Sequence, residues 1–177
     1  MVMAGKRSWG GRFARILRHL WLDESDTRKA IPPELVQRLA RRVAASEIRH
    51  TGEVRVYVEA GLPLSHLWAD ATPRERALAV FGELRVWDTE RNNGVLIYLL
   101  LAEHAIEIVA DRGLARKVPQ GEWQAIVQRM GSAFHERHFE DGLTQALEEV
   151  SALLVAHFPA QAGAEDVNEL PDEPLLG

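Results

Sequence analysis

The loop Asp88-Thr89-Glu90-Arg91-Asn92-Asn93-Gly94 puts oxygen-bearing side chains at alternate positions. A loop that wraps a hard cation begins in this way. It departs from the calcium loop of an EF-hand in two respects. The glycine comes one position late, and the twelfth position is Leu99 instead of a bidentate glutamate. Asp111 closes a later apolar run, and a hairpin between the two would return it to the asparagine pair. A calcium or magnesium ion could then be shared among Asp88, Asn92, Asn93 and Asp111. The plainer alternative is that Asp88 and the asparagines satisfy backbone groups in a turn.

Other chemistry is poorly supported. In His135-Glu136-Arg137-His138 the histidines are three apart, whereas a zinc-protease helix needs them four apart. A polar connector is the better reading. There is no cysteine, which removes disulfides, thiolate zinc sites and cysteine nucleophiles. No Gly-x-Ser-x-Gly elbow, Gly-x-Gly-x-x-Gly turn or P-loop occurs, so no nucleotide cofactor is expected.

Charge is unevenly placed. Residues 1–22 carry Lys6, Arg7, Arg12, Arg15 and Arg18 and no acid, while residues 160–177 carry Glu165, Asp166, Glu169, Asp172 and Glu173 and no base. The two ends cancel, so the centre carries the net charge of -5, with no basic stripe for nucleic acid. Phe13, Ile16, Leu17, Leu20 and Trp21 fall at helical spacing opposite Arg15 and Arg18. That pattern suits a helix packed on its own core, or else weak peripheral contact of residues 1–22 with a membrane.

The elements that must position the loop read clearly. Residues 23–31 look like a polar linker, and Pro32-Pro33-Glu34 opens a helix with Leu35, Leu39 and Val43 on its buried stripe. Residues 53–59 alternate, with Val54, Val56 and Val58 on the buried side. Thr72, Pro73 and Glu75 together supply a cap, a first-turn proline and a capping-box acid. Residues 95–101 are an uninterrupted apolar run, suited to a strand buried on both faces. Residues 106–110 return as its hairpin partner. Two helices follow, near residues 119–130 and 139–157. The strand-helix-strand unit of residues 53–101 predicts a right-handed crossover with parallel strands.

This order, with Asn92-Asn93-Gly94-Val95-Leu96, Gly113-Leu114, Thr51-Gly52 and Phe139-Glu140-Asp141-Gly142-Leu143, is similar to the TPM domain. Asn92 stands where the family usually has Asp, and Ala115-Arg116-Lys117 follow where an acid is common. The resemblance implies a family that includes acid phosphatases, calcium or divalent-ion binders and assembly factors. It also implies a LemA-like or other membrane protein as partner. The expected fold is a single three-layer α/β/α-like domain, a small mixed sheet flanked by helices. Residues 1–31 would form a basic segment and linker, residues 32–159 the TPM-like domain, and residues 160–177 an acidic disordered tail. The expected function is that of an accessory or binding domain, with a divalent-ion-dependent acid phosphatase as the alternative. Without a signal peptide or membrane span, the expected location is the cytoplasm, peripheral at the inner face of the membrane.

Overall fold

The structure is a computed structural model and describes residues 9–136, 138–160 and 168–177. In chain order it has helices α1 (Trp9–Trp21), α2 (Glu24–Ala30) and α3 (Pro33–Glu47), then strand β1 (Val54–Glu59). Helices α4 (Leu64–Trp68) and α5 (Pro73–Glu83) lead to strands β2 (Val95–Leu100) and β3 (Ala105–Ala110), joined by a 3-10 turn at Leu101–Glu103. Helices α6 (Arg112–Ala115), α7 (Gln120–His135) and α8 (Phe139–His157) follow, and a short strand β4 (Leu175–Leu176) ends the chain.

The sheet order is β3-β2-β1-β4. Strands β1 and β2 are parallel, with Val54 opposite Val95, and β2 and β3 form the antiparallel hairpin, with Val95 opposite Ala110. The pleat sorts the central strands between two cores. Val54, Val56, Val58, Val95, Ile97 and Leu99 pack with α3, α7 and α8, whereas Leu96, Tyr98 and Leu100 pack with α4 and α5. These two cores make the mixed α/β domain three-layered, as the unbroken apolar run of β2 requires. The capping box at α5 forms as its sequence predicts, Thr72 with Glu75.

Four expectations need correction. The polar linker contains α2, opened by a capping box between Asp23 and Asp26; its short polar sequence carries no apolar stripe to announce it. The tail is not disordered where it is described. Leu175–Leu176 pairs in parallel with Tyr57 and Val58, and the Glu53 carboxylate accepts from the Glu169 and Leu170 amides. Main-chain pairing to an open sheet edge needs little from side chains, so composition did not reveal it. Residues 161–167 lie outside the described residues.

The second face of β1 was expected to meet solvent, yet Arg55 and Glu59 are both 4% exposed. Arg76 from α5 covers and pairs Glu59, and the tail covers Arg55, whose Nη1 donates to the Glu173 carbonyl. Lastly, α1 is turned over. Arg15 and His19 face the protein and are buried, and Ile16 packs half-buried on the second core, while Phe13, Leu17, Leu20 and Trp21 face outward. The cause is a set of polar partners: Arg15 bonds Glu103, Asp70 and the Ala71 carbonyl, and His19 meets Glu103 and the Leu62 amide.

Candidate functional site

The amino ends of β1 and β2 and the carboxyl end of β3 meet at one end of the sheet. There the hairpin pairing continues past the strands. The Asp111 amide donates to the Gly94 carbonyl and the Gly113 amide to the Asn92 carbonyl, both at 2.8 Å. Residues 92–94 and 111–113 therefore lie side by side, as the hairpin predicts. The close approach explains both glycines. A Cβ on Gly94 would stand 1.9 Å from the Val86 carbonyl oxygen, and one on Gly113 would stand 2.4 Å from that of Asn92. Asn92 adopts a left-handed backbone at φ 53°, which asparagine tolerates better than most side chains.

Asn93 is fully buried. Its amide group donates to the Thr51 carbonyl at 2.9 Å, and its backbone N–H to Thr89 Oγ1 at 3.1 Å. Its side-chain oxygen has no hydrogen-bond partner. Asp111 caps α6 through one carboxylate oxygen, which accepts from the Arg112 amide at 2.6 Å. Its other oxygen is buried without a partner. Arg112 Nε donates to Asn92 Oδ1 at 2.9 Å, so the guanidinium stands at the outer edge of the site. Asp88 is exposed, and no hydrogen bond ties its carboxylate to the other three side chains among the described residues.

Buried, unpartnered oxygens are costly and call for an explanation such as a bound ion or water. The residues fit a hard cation in that sense: Asn93 Oδ1 and Asp111 Oδ2 are the oxygen donors such ions prefer. Among the described residues no three His, Cys, Asp or Glu side chains form a ready ligand set. Carbonyl and amide oxygens and water would have to complete the shell, as hard cations accept. His50 is also fully buried near this end, and neither of its ring nitrogens has a hydrogen-bond partner. Burial pushes it down to about 4, so the ring is neutral near pH 7.

Two buried charge systems escaped the sequence reading. In the first, Glu59 accepts from Arg76 and from the Tyr98 hydroxyl at 2.7 Å, all three side chains being buried. Burial, then the Glu59 carboxylate, pushes the Tyr98 hydroxyl up. In the second, Glu47, Glu53 and Arg55 lie beneath the tail residues Glu169 to Glu173. Burial raises Glu47 to about 9, helped by the nearby Glu53 and Asp172 carboxylates. Alternation along β1 hid both systems, since Arg55 and Glu59 occupy positions that normally face water.

At the opposite end of the sheet, a cleft of about 940 Å³ lies beside the turn after β2, lined in part by Arg18, Leu35, Arg38, His104, Phe139 and Glu140. Two of its cations are paired, Arg38 with Glu140 and Lys29 with Asp26. His135 ends α7, and Glu136 and His138 lie between α7 and α8. His138 and Glu136 approach to 3.5 Å in an exposed pair; Arg137 lies outside the described residues.

A mixed four-stranded sheet with a parallel crossover, a hairpin and helices on both faces defines the class of α/β domain. The family model of the TPM domain matches residues 25–153, and the chain belongs to that family. Among solved structures, it is similar to the BA42 protein of the psychrophilic bacterium Bizionia argentinensis. That match has a TM-score of 0.70 and 24% identity over 85% of this chain and 94% of that one. It is also similar to the N-terminal domain of a protein from P. gingivalis, with a TM-score of 0.54 and 22% identity over 68% of this chain and 76% of that one. At these identities the likeness shows the fold. No curated protein sequence matches the chain. Among the described residues no helix is long and apolar enough to cross a membrane.

Proposed function

We propose that this TPM domain is an accessory binding module that holds a calcium or magnesium ion at the strand ends and acts beside a membrane-associated, LemA-like partner. The observation that carries the cation reading is the pair of orphaned oxygens, Asn93 Oδ1 and Asp111 Oδ2, on adjoining segments. Asn93 and Asp111 would be the buried donors, with Asn92 and Asp88 on the more exposed part of the same loop. A bound cation would neutralise the Asp111 charge and tie the β2 entry to the β3 exit. The outward apolar face of α1 supports the accessory role.

The test is thermal unfolding with added calcium or magnesium. A ligand bound only by the native state adds about 2.7 kcal/mol at a hundredfold excess over its dissociation constant. Asp111→Asn keeps an acceptor for the Arg112 amide but removes the charge. A midpoint rise in the native protein that is lost in this variant supports the site; equal rises in both place any ion elsewhere.

The second reading is a divalent-ion-dependent acid phosphatase. Arg112 favours it, because its exposed guanidinium sits beside Asn92 and Asp111, where it could bind a phosphoryl oxygen. Hydrolysis of p-nitrophenyl phosphate that depends on added ion, Asp111 and Arg112 would establish it. Hydrolysis that survives both substitutions would remove this site from consideration.

A further inference from the structure

The orientation of α1 is the least expected feature of the molecule. An amphipathic helix ordinarily buries its apolar stripe and shows its charges to water. Here Phe13, Leu17, Leu20 and Trp21 occupy one stripe at helical spacing and are 62%, 42%, 57% and 85% exposed. The opposite stripe is locked to the body of the protein. Arg15 bonds Glu103, Asp70 and the Ala71 carbonyl, while His19 bonds Glu103 and the Leu62 amide. Turning the helix over would leave Arg15 and Glu103 without these partners, a heavy cost for largely buried charges. The fold therefore holds the apolar stripe outward.

The charge around the stripe argues for its occupant. The chain as a whole carries a net charge of -5, yet residues 1–22 contain no acid; of their five bases, Lys6 and Arg7 lie outside the described residues and Arg15 is paired inward, which leaves Arg12 and Arg18 beside the stripe. Arg18, next to the stripe, is exposed and meets no acidic side chain among the described residues. Arg12 is half-buried and donates to the Trp68 carbonyl, which brings α4 alongside. On α4, Leu64 and Trp68 are themselves 53% and 71% exposed. Aromatic and leucine side chains bordered by arginine are the composition of helices that lie in the headgroup region of an anionic bilayer.

We propose that α1 is an interfacial helix that seats the domain on an anionic lipid surface through Phe13, Leu17, Leu20 and Trp21, with Arg18 meeting headgroup charge. One helix of this kind binds reversibly, so contact is salt-sensitive and peripheral.

The experiment is flotation of the full chain with phosphatidylcholine vesicles, with and without phosphatidylglycerol, at low and high salt. The protein should float with the anionic vesicles and be released by salt. The double variant Leu17→Ser with Trp21→Ser should partition on the order of tenfold less or weaker still. Arg18→Glu should reduce binding to the anionic vesicles. Because these side chains point away from the body, the thermal midpoints of all variants should match that of the native protein, separating lost binding from lost folding. Three results would overturn the proposal: no flotation, equal flotation with neutral vesicles, or flotation unchanged by the double variant. A lipid-indifferent dimer that dissociates in the double variant would also overturn it, assigning the stripe to a second copy of the chain.

Discussion

Arg15 and Glu103, 88 positions apart in sequence, share a 2.5 Å hydrogen bond that fixes α1 across the turn between β2 and β3. His19 reaches the same carboxylate oxygen at 3.0 Å. Burial alone would raise the Glu103 carboxyl, but the bonds from His19 and Arg15 outweigh it and bring the group down to about 2.

The pairing has a pH signature. A carboxylate held below its ordinary value near 4.5 stabilises the fold above that value and loses the contribution as pH falls toward about 2. Glu103→Gln should therefore cost about 2 kcal/mol near pH 7. The gap in thermal midpoint between native protein and variant should close between about pH 4.5 and 2. A gap that persists at the acid end would show that Glu103 does not latch α1 as a charge.

Glu47 has the opposite sign. Its raised value, about 9, means that folding takes up a proton between roughly pH 4.5 and 9, so its contribution falls as pH rises through that window. Glu47→Gln mimics the protonated side chain. It should raise the midpoint at pH 8 by about 2–4 °C and leave it unchanged near pH 4. Destabilisation at pH 8 would mean that the ionised carboxylate is the form the tail is built around.

The Tyr98 hydroxyl donates to Glu59 in the core beneath α5. Removing it in Tyr98→Phe leaves the buried carboxylate to Arg76 alone, at a cost of about 1–3 kcal/mol in denaturant unfolding. A neutral outcome would mean that Arg76 satisfies Glu59 by itself.

Gly94 lies under the Val86 carbonyl, where a Cβ has no room and the obstacle is backbone. Gly94→Ala should cost about 3 kcal/mol or more. It should also weaken any ion response, because it displaces Asn93 and the paired Asp111 amide.

The sequence carried the parts of the fold that rest on local signals. The apolar run of β2, the capping box of Thr72 and Glu75, and the long stripe of α8 each specify their own element. So does the meeting of Asn92, Asn93 and Asp111, which follows from a hairpin of short connection. What stayed hidden depends on partners distant in sequence. Nothing around Arg15 announces Glu103, nothing around Glu59 announces Arg76, and the tail pairs with β1 through its backbone. Asp88 looked equivalent to Asp111 as a ligand. Spacing could not tell that one is exposed and the other is buried with an unpartnered oxygen.

The proposed divalent cation would be held by Asn93 and Asp111. Manganese, a paramagnetic substitute for calcium or magnesium, broadens amide resonances close to where it binds. In a titration of the isotopically labelled chain followed by two-dimensional NMR, the account predicts that Thr51, Asn93, Asp111 and Gly113 broaden first. It also predicts that excess magnesium or calcium restores them and that Asp111→Asn abolishes the effect. Broadening confined to the acidic tail, or none at millimolar ion, would contradict the claim and leave the orphaned oxygens as part of a turn.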